Sequence, residues 1–508
     1  MSIRIGRGGT VTLNRRANVR IVSEYYQFST GITYYVSNTT GNDANNGTSS
    51  AAPWQTLSKV ISASINGPKI RPGDTVAFKK GETWIVDDTF GGFRWWNNFG
   101  GRNCVTGSPG RPITLTNYGT GELPNFLFPT PSTLYSKIAM SFENVSYMII
   151  DGLQFNDTRS AVDKIYSGST IQGIMLGESG TDCNNNIVRN CYFSNVSLPI
   201  VVVGSNNEFY NNTMENFCNA YWAGSDGYGA NGFTMTGNYN YVHHNTVSGA
   251  WAYSDTFSTN GGALEMINTN NNNTIAFNTF IDCGGIAEWG SNSGQAEVCQ
   301  DNLFAYNKII NCGGVSFCNV DPGGGFPIEP SNLKWYNNTI VENANSRFSG
   351  PNFGAGFTSF PRWSTFPRLP EPEDKFFSNN GSPVAATVWD IRNNIIICTN
   401  SSSAPNGSPP YATRDWTYTI LGSSKTIHTN NIYKLSSGAV IGLTAGSGEV
   451  TSSAQILQDE SNADPILWNF SPLLTGPAIN AGTYVGLTVD FAGNPVSNPP
   501  DAGILEYV

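Results

Sequence analysis

Apolar and polar residues alternate with a period of two along most of this chain, in short bursts broken by asparagine and glycine. The stretch GGALEMINTNNNNTIAFNTFIDCGG, from Gly261, is typical. A period of two sends successive side chains to opposite faces of a strand, so each burst reads as a half-buried strand. No helical heptad or long amphipathic run interrupts the pattern. The fold class expected is all-β.

The bursts repeat. NNNIVRNCYFSNV from Asn184, NNEFYNNTMENF from Asn206, NYVHHNTVSG from Asn240, NNTIAFNTFIDCGG from Asn272, DNLFAYNKIINCGG from Asp301, LKWYNNTIVEN from Leu333, WDIRNNIIICTN from Trp389 and KTIHTNNIYKL from Lys425 share one form. Each is a short strand, an asparagine turn and a second short strand. The anchors Asn245, Asn278, Asn307 and Asn338 lie 33, 29 and 31 residues apart. One such coil cannot bury its apolar face alone and must stack on the next, giving a solenoid of parallel strands. Asparagine suits the corners because it tolerates left-handed backbone angles and its amide can bond backbone or the asparagine one rung away. Reading the Asn-x-Ser/Thr triplets as glycosylation acceptors accounts less well for their period.

The opening TYYVSNTTGNDANNGTSSAAPWQTLSKV, then RPGDTVAFKKGETW, resembles the start of right-handed parallel β-helix proteins of the pectate-lyase-like superfamily. The closing SPLLTGPAINAGT and VDFAGNPVSNPPDAGILEY are similar to the end of many such proteins. The resemblance runs from about Thr33 to the C-terminus. It implies a right-handed parallel β-helix with an N-terminal capping helix over Trp54–Ile65, where Trp54, Leu57, Val60, Ile61 and Ile65 have amphipathic spacing and Pro53 stands at the start. The expected layout is an N-terminal arm (1–32), cap and first coil (33–85), solenoid body (86–460) with an insertion at 343–390, and a C-terminal cap (461–508). Fold alone does not settle activity, because the superfamily includes lyases, hydrolases, tailspikes and non-catalytic binders.

Charge narrows the partners. The 508 residues carry a net charge of −10, and only 13% are charged. Between Cys191 and Leu333 the one basic residue of the Lys/Arg type is Lys308, so no basic stripe for nucleic acid exists there. No apolar run is long enough for a membrane span. The arm is different: Arg4, Arg7, Arg15, Arg16 and Arg20 face one acid, Glu24. A basic arm on an acidic body suggests docking, the alternative being an extra strand with solvated arginines. The N-terminus lacks the apolar core of a secretory signal. The nine cysteines form no CxxC metal pair, and Cys283 and Cys312 occupy equivalent places in IDCGG and INCGG, which reads as stacked, buried, reduced thiols and assembly in a cytoplasm.

The candidate chemistry is acidic. Glu265, Glu297 and Glu329 are 32 residues apart, close to the coil period, and are expected to stack in one column. Glu288 is expected on the following face, with Asp226, Asp255 and Asp321 in long loops at one corner. Stacked acids repel, so one should hold its proton beside an ionised partner, which is the pairing glycoside hydrolysis needs. The alternative is a solvated glutamate column. Lyase chemistry would turn to His243, His244 or Lys308 as base, and the pair of histidines is expected to point one in and one out. Trp222, Trp251, Trp289 and Phe317 occupy similar places and could stack on sugars or form an internal ladder; Trp95 and Trp96 lie in another loop. No cofactor is required, and Ca²⁺ among the acids is compatible, without EF-hand spacing.

The expectation is a polysaccharide-binding β-helix with hydrolase activity, resembling a phage tailspike. That resemblance implies a virion location, a homotrimer and contact with other virion proteins through residues 1–32. The rivals are a secreted, extracellular bacterial lyase or hydrolase and a non-enzymatic virion fibre.

Overall fold

The alternating bursts become strands of three or four residues over most of the chain. Thr213–Glu215, Tyr241–His243 and Thr246–Ser248 each bury only their middle residue. A computed structural model describes residues 2–5, 9–12, 31–66, 69–86, 93–128, 137–158, 171–178, 180–217, 230–254, 258–292, 296–320, 327–343, 377–379, 384–399, 425–435 and 444–507. Within these, nearly every strand pairs in parallel with its counterpart one coil later. The result is one sheet of 10 strands and two of 12. This is a right-handed parallel β-helix.

Register turns the alternation into columns. In the 10-stranded sheet, hereafter the first sheet, Phe93, Met140, Ile174, Ile200, Phe233 and Leu264 follow one another up the interior. Trp95, Phe142, Leu176, Val202, Met235, Met266 and Trp289 form a second inward column. Both belong to one continuous core cluster. The repeat of one side-chain class per rung is what stacking requires.

The asparagine corners divide their work between two consecutive residues. The first adopts positive φ, as at Asn206, Asn211, Asn272, Asn337 and Asn393. The second points inward and forms a ladder. Asn212, Asn245, Asn278, Asn307, Asn338, Asn394 and Asn431 each accept, through Oδ1, from the backbone N–H and the amide of the asparagine one rung before, except the first, which accepts from Cys191 N. The ladder meets the corner's buried polar groups, which water would otherwise have to satisfy.

The helix near the N-terminus is shorter than the expected Trp54–Ile65. It spans Leu57–Ser64, with Thr56 as N-cap accepting from Lys59 N. Trp54 instead bridges to Val36 as extended chain and stacks on Tyr34 at 4.6 Å. Val60, Ile61 and Ala63 join the core. The insertion is also shorter than 343–390: Phe377–Asn379 pairs with Ser316–Cys318 and Trp389–Arg392 with Leu333–Tyr336, so the chain has rejoined the coil by Phe377.

The C-terminal segment lies along the solenoid's side rather than only across its end. Trp468, Phe470, Ala478, Ala502 and Ile504 pack on Ile310, Val341, Ile395, Ile397 and Ile432, the outward residues of one long sheet. Ile504 N donates to Thr339 Oγ1, and Asn337 Nδ2 to the Asp501 carbonyl. In the arm, Ser2–Ile5 and Gly9–Thr12 form an antiparallel hairpin; the rest of 1–30 lies outside the described residues. Eight cysteines are described, all buried and none in a disulfide, with Cys283 N donating to Cys312 Sγ one rung on.

Candidate active site

Glu265 and Glu288 sit on the outward face of the first sheet as direct register partners on adjacent strands, Leu264–Ile267 and Ala287–Gly290. Thr234 precedes them in the same outward column and Phe317 follows. The expected column of Glu265, Glu297 and Glu329 does not form, and Glu288 is not on a different face. Glu297 and Glu329 belong to a separate three-stranded sheet of Asn270–Asn271, Glu297–Gln300 and Ile328–Ser331, where Glu297 lies opposite Ile328 and Glu329 opposite Val298. Glu297 accepts from Thr269 Oγ1 at 2.6 Å, and Glu329 is exposed.

The physical reason for the difference is uneven coil length. Coils differ in their outer turns, so the asparagine spacing does not carry over to the first sheet. The local signal is a glycine pair: Gly261-Gly262 stands three residues before Glu265, Gly284-Gly285 before Glu288 and Gly313-Gly314 before Phe317. Here backbones approach closely. A Cβ on Gly284 would come within 2.4 Å of the Gly261 carbonyl oxygen, which excludes any larger residue.

The two carboxyl groups differ in their surroundings. Glu265 Oε2 accepts from Asn231 Nδ2 at 2.6 Å and from Thr234 Oγ1 at 3.3 Å. Asn231 is itself oriented, since its Oδ1 accepts from Gly262 N at 2.9 Å. Burial raises the pKa of Glu265, and the bonds from Thr234 and Asn231 oppose that rise. Glu288 makes no hydrogen bond among the described residues, and burial, then the charge of Glu265, pushes its pKa up to about 7. Both side chains remain partly accessible to solvent. One carboxyl thus favours the ionised state more than its neighbour does, the arrangement that separates a base or nucleophile from an acid.

Of the described aromatic candidates, the two tryptophans are buried and Phe317 faces outward. Trp289 is fully buried and bonds Ser316 Oγ, and Trp251 is buried too, so neither offers a face to a sugar. Phe317 is partly exposed beside Glu288. Trp222, Asp226 and Asp255 lie outside the described residues. His243 is on a different sheet, bonded to Glu208 at 3.0 Å. His244 does not point inward: it takes the positive-φ corner position and is exposed, while Val242 fills the interior. Lys308 lies under the C-terminal segment, 4.1 Å from the Phe470 ring. Asn231 and Thr234 were not apparent as site residues from sequence. Among the described residues no three His, Cys, Asp or Glu side chains form a set that could hold a metal ion, and no helix is long and apolar enough to cross a membrane.

No known family model matches the chain. A 99-residue stretch is 34% identical to lacto-N-biosidase of Bifidobacterium longum subsp. longum, covering 18% of this chain and 5% of that protein. Among solved structures, pectate lyase Pel9A aligns over 95% of this chain and 98% of its own, with 15% identity and a TM-score of 0.48. The GH136 lacto-N-biosidase from Eubacterium ramulus aligns over 83% and 67%, with 12% identity and a TM-score of 0.40. The likeness to these structures is one of fold, the right-handed parallel β-helix.

Proposed function

We propose that this chain degrades a polysaccharide or oligosaccharide on the outward face of its first sheet, as a glycoside hydrolase. The observation that carries the reading is the register pairing of Glu265 with Glu288, in which, among the described residues, only Glu265 receives hydrogen bonds. Support also comes from the short stretch similar to a lacto-N-biosidase.

In this mechanism Glu288 gives its proton to the glycosidic oxygen as the bond to the anomeric carbon breaks. Glu265, ionised, attacks that carbon and holds the sugar as an ester. Glu288, now a carboxylate, takes a proton from water as the water displaces Glu265. Adjacent strands are ~4.8 Å apart, near the ~5–5.5 Å of retaining enzymes and short of the ~6.5–9.5 Å of inverting ones. Retention of anomeric configuration is therefore part of the proposal. No metal or cofactor has a step in it.

The virion setting is a finer part of the same reading. A basic arm on an acidic chain supports docking through residues 1–32, and the tailspike resemblance supports a homotrimer. Light scattering tests the trimer. The activity is tested by depolymerisation of acidic and neutral bacterial polysaccharides, read by reducing ends and by absorbance of unsaturated products. New reducing ends without unsaturation, lost in Glu265→Gln, are expected. Unsaturated products would replace the reading with a lyase. Silence on a polysaccharide the protein binds would leave a glycan-binding fibre.

A further inference from the structure

A second cluster lies on a different sheet and has no part in the proposed hydrolysis. His243 and His244 bring their Nδ1 atoms to 2.8 Å of each other. Two ring nitrogens at that distance must share one proton, because two lone pairs or two N–H groups would repel. The other ring nitrogen of His243, Nε2, is 3.0 Å from Glu208 Oε1. A carboxylate there accepts a hydrogen bond from Nε2–H and leaves Nδ1 of His243 as a lone pair aimed at His244. A carboxylate behind an imidazole is how metal-binding histidines are commonly fixed in tautomer and orientation.

Both rings are held in place by stacking. His243 lies between Tyr241, at 3.9 Å and 23°, and Tyr210, at 5.0 Å and 11°. His244 stacks on Phe277 at 5.2 Å and 26°. Arg189, the nearest cation in the ladder, is engaged by Asp151 and Tyr210.

His244 has φ of 54°, in the corner position that holds asparagine at Asn190, Asn211, Asn337, Asn393 and Asn430 and a ring at Phe277 and Tyr306 on other rungs. Histidine here places its Nδ1 beside that of His243.

We infer that His243 and His244 form a bidentate site for a divalent transition metal such as Zn²⁺, with Glu208 as the orienting group behind His243. On binding, His244 gives up its Nδ1 proton to solvent and takes one at Nε2, so both rings stay neutral and both Nδ1 lone pairs meet the ion. Zn–N bonds of ~2.0–2.1 Å require the two nitrogens to part slightly. Water fills the remaining positions.

The test is calorimetric titration of ZnCl₂ into the untagged, chelator-treated chain. The sequence has three histidines, and the third, His428, is buried against Glu449, so background from imidazole is small. One Zn²⁺ per chain is expected near neutral pH, with loss of that binding in His244→Asn. That variant carries the residue other rungs use at the same corner, and an unchanged thermal melt will show it folded. Glu208→Gln should weaken binding about 10–100-fold. A wild-type chain without binding heat, or a His244→Asn chain that binds as tightly as wild type, overturns the assignment.

Discussion

Asn231 holds Glu265: its amide donates to Glu265 Oε2 at 2.6 Å while its carbonyl oxygen is held by Gly262 N at 2.9 Å. The second bond leaves the side chain no freedom to flip, so Glu265 always meets a donor. Glu288, directly beside it in register, has no such donor among the described residues. The two glutamates are alike in sequence surroundings, GGALE and GGIAE, and the asymmetry between them originates one rung earlier.

Replacing either glutamate by glutamine should therefore stop hydrolysis for different reasons. Glu265→Gln removes the nucleophile. Glu288→Gln removes the acid and should lower the rate by roughly 10²–10⁴ for a sugar leaving group, with a much smaller loss for a leaving group that needs no protonation. Initial rates on a cleaved oligosaccharide and on its glycosyl fluoride separate the two roles. Equal losses on both substrates for Glu288→Gln would speak against it as the acid.

Asn231→Ala should shift the pH profile. Without the amide donor the Glu265 carboxyl binds its proton more tightly, so the acid limb of kcat/KM moves to higher pH. The Gly262 N–H also loses its acceptor, which costs about 1–3 kcal/mol of stability if the group stays buried. Asn231→Asp restores an acceptor for Gly262 N but not the donor. It also sets a second acid against Glu265, so the pH limb should move further in the same direction than in Asn231→Ala, an ordering that a purely structural role for Asn231 would not produce.

Stability should fall as pH rises from about 4.5 to about 7. Burial pushes Glu288 to about 7, with Glu265 adding to the rise, and burial likewise pushes Glu143 to about 7, with Glu178 adding to it. Glu143 is fully buried, and its Oε1 has no hydrogen-bond partner among the described residues. A carboxyl with a raised folded-state pKa binds its proton more tightly folded than unfolded. Its contribution is full below the unfolded value and is lost as pH climbs through the folded one. Thermal melts across that window should show the decline in wild type. Glu288→Gln and Glu143→Gln should each flatten it, and the two effects should add, since the sites are several rungs apart. A melt independent of pH there would contradict the burial of both groups.

The interior and the site differed in how far they could be read from sequence. The interior repeats one class of side chain at every rung, so Phe233, Leu264 and Ala287 announce a strand whatever the coil length. Parallel stacking and the asparagine corners follow from the same repetition. The outward face has no such redundancy. Glu265 and Glu297 are 32 residues apart yet lie in different sheets, whereas Glu265 and Glu288, 23 apart, are neighbours. An extra short strand, Glu297–Gln300, occupies part of the coil that the asparagine spacing counted as first-sheet residues. Trp289 was ambiguous for a related reason: alternation says that Glu288 and Trp289 face opposite ways but not which of them is inside, and only the packing of Met266 and Cys318 beside Trp289 decides.

The two asparagines at each corner should respond differently to mutation. Asn278 is fully buried. Its Nδ2 donates to the carbonyls of Val242 and Ala276 and to Asn307 Oδ1, while its Oδ1 accepts from Asn245 N and Nδ2. Asn278→Ala strands several of these groups where water cannot easily replace it. At ~1–3 kcal/mol for each orphaned group, the loss should be at least ~3 kcal/mol. Asn211, by contrast, is exposed and serves the backbone with φ of 54°. Glycine meets that need without strain, so Asn211→Gly should change stability by no more than ~0.5 kcal/mol. Urea unfolding of the two variants measures the difference. Comparable losses would mean that the corner conformation, rather than the amide ladder behind it, holds successive coils together.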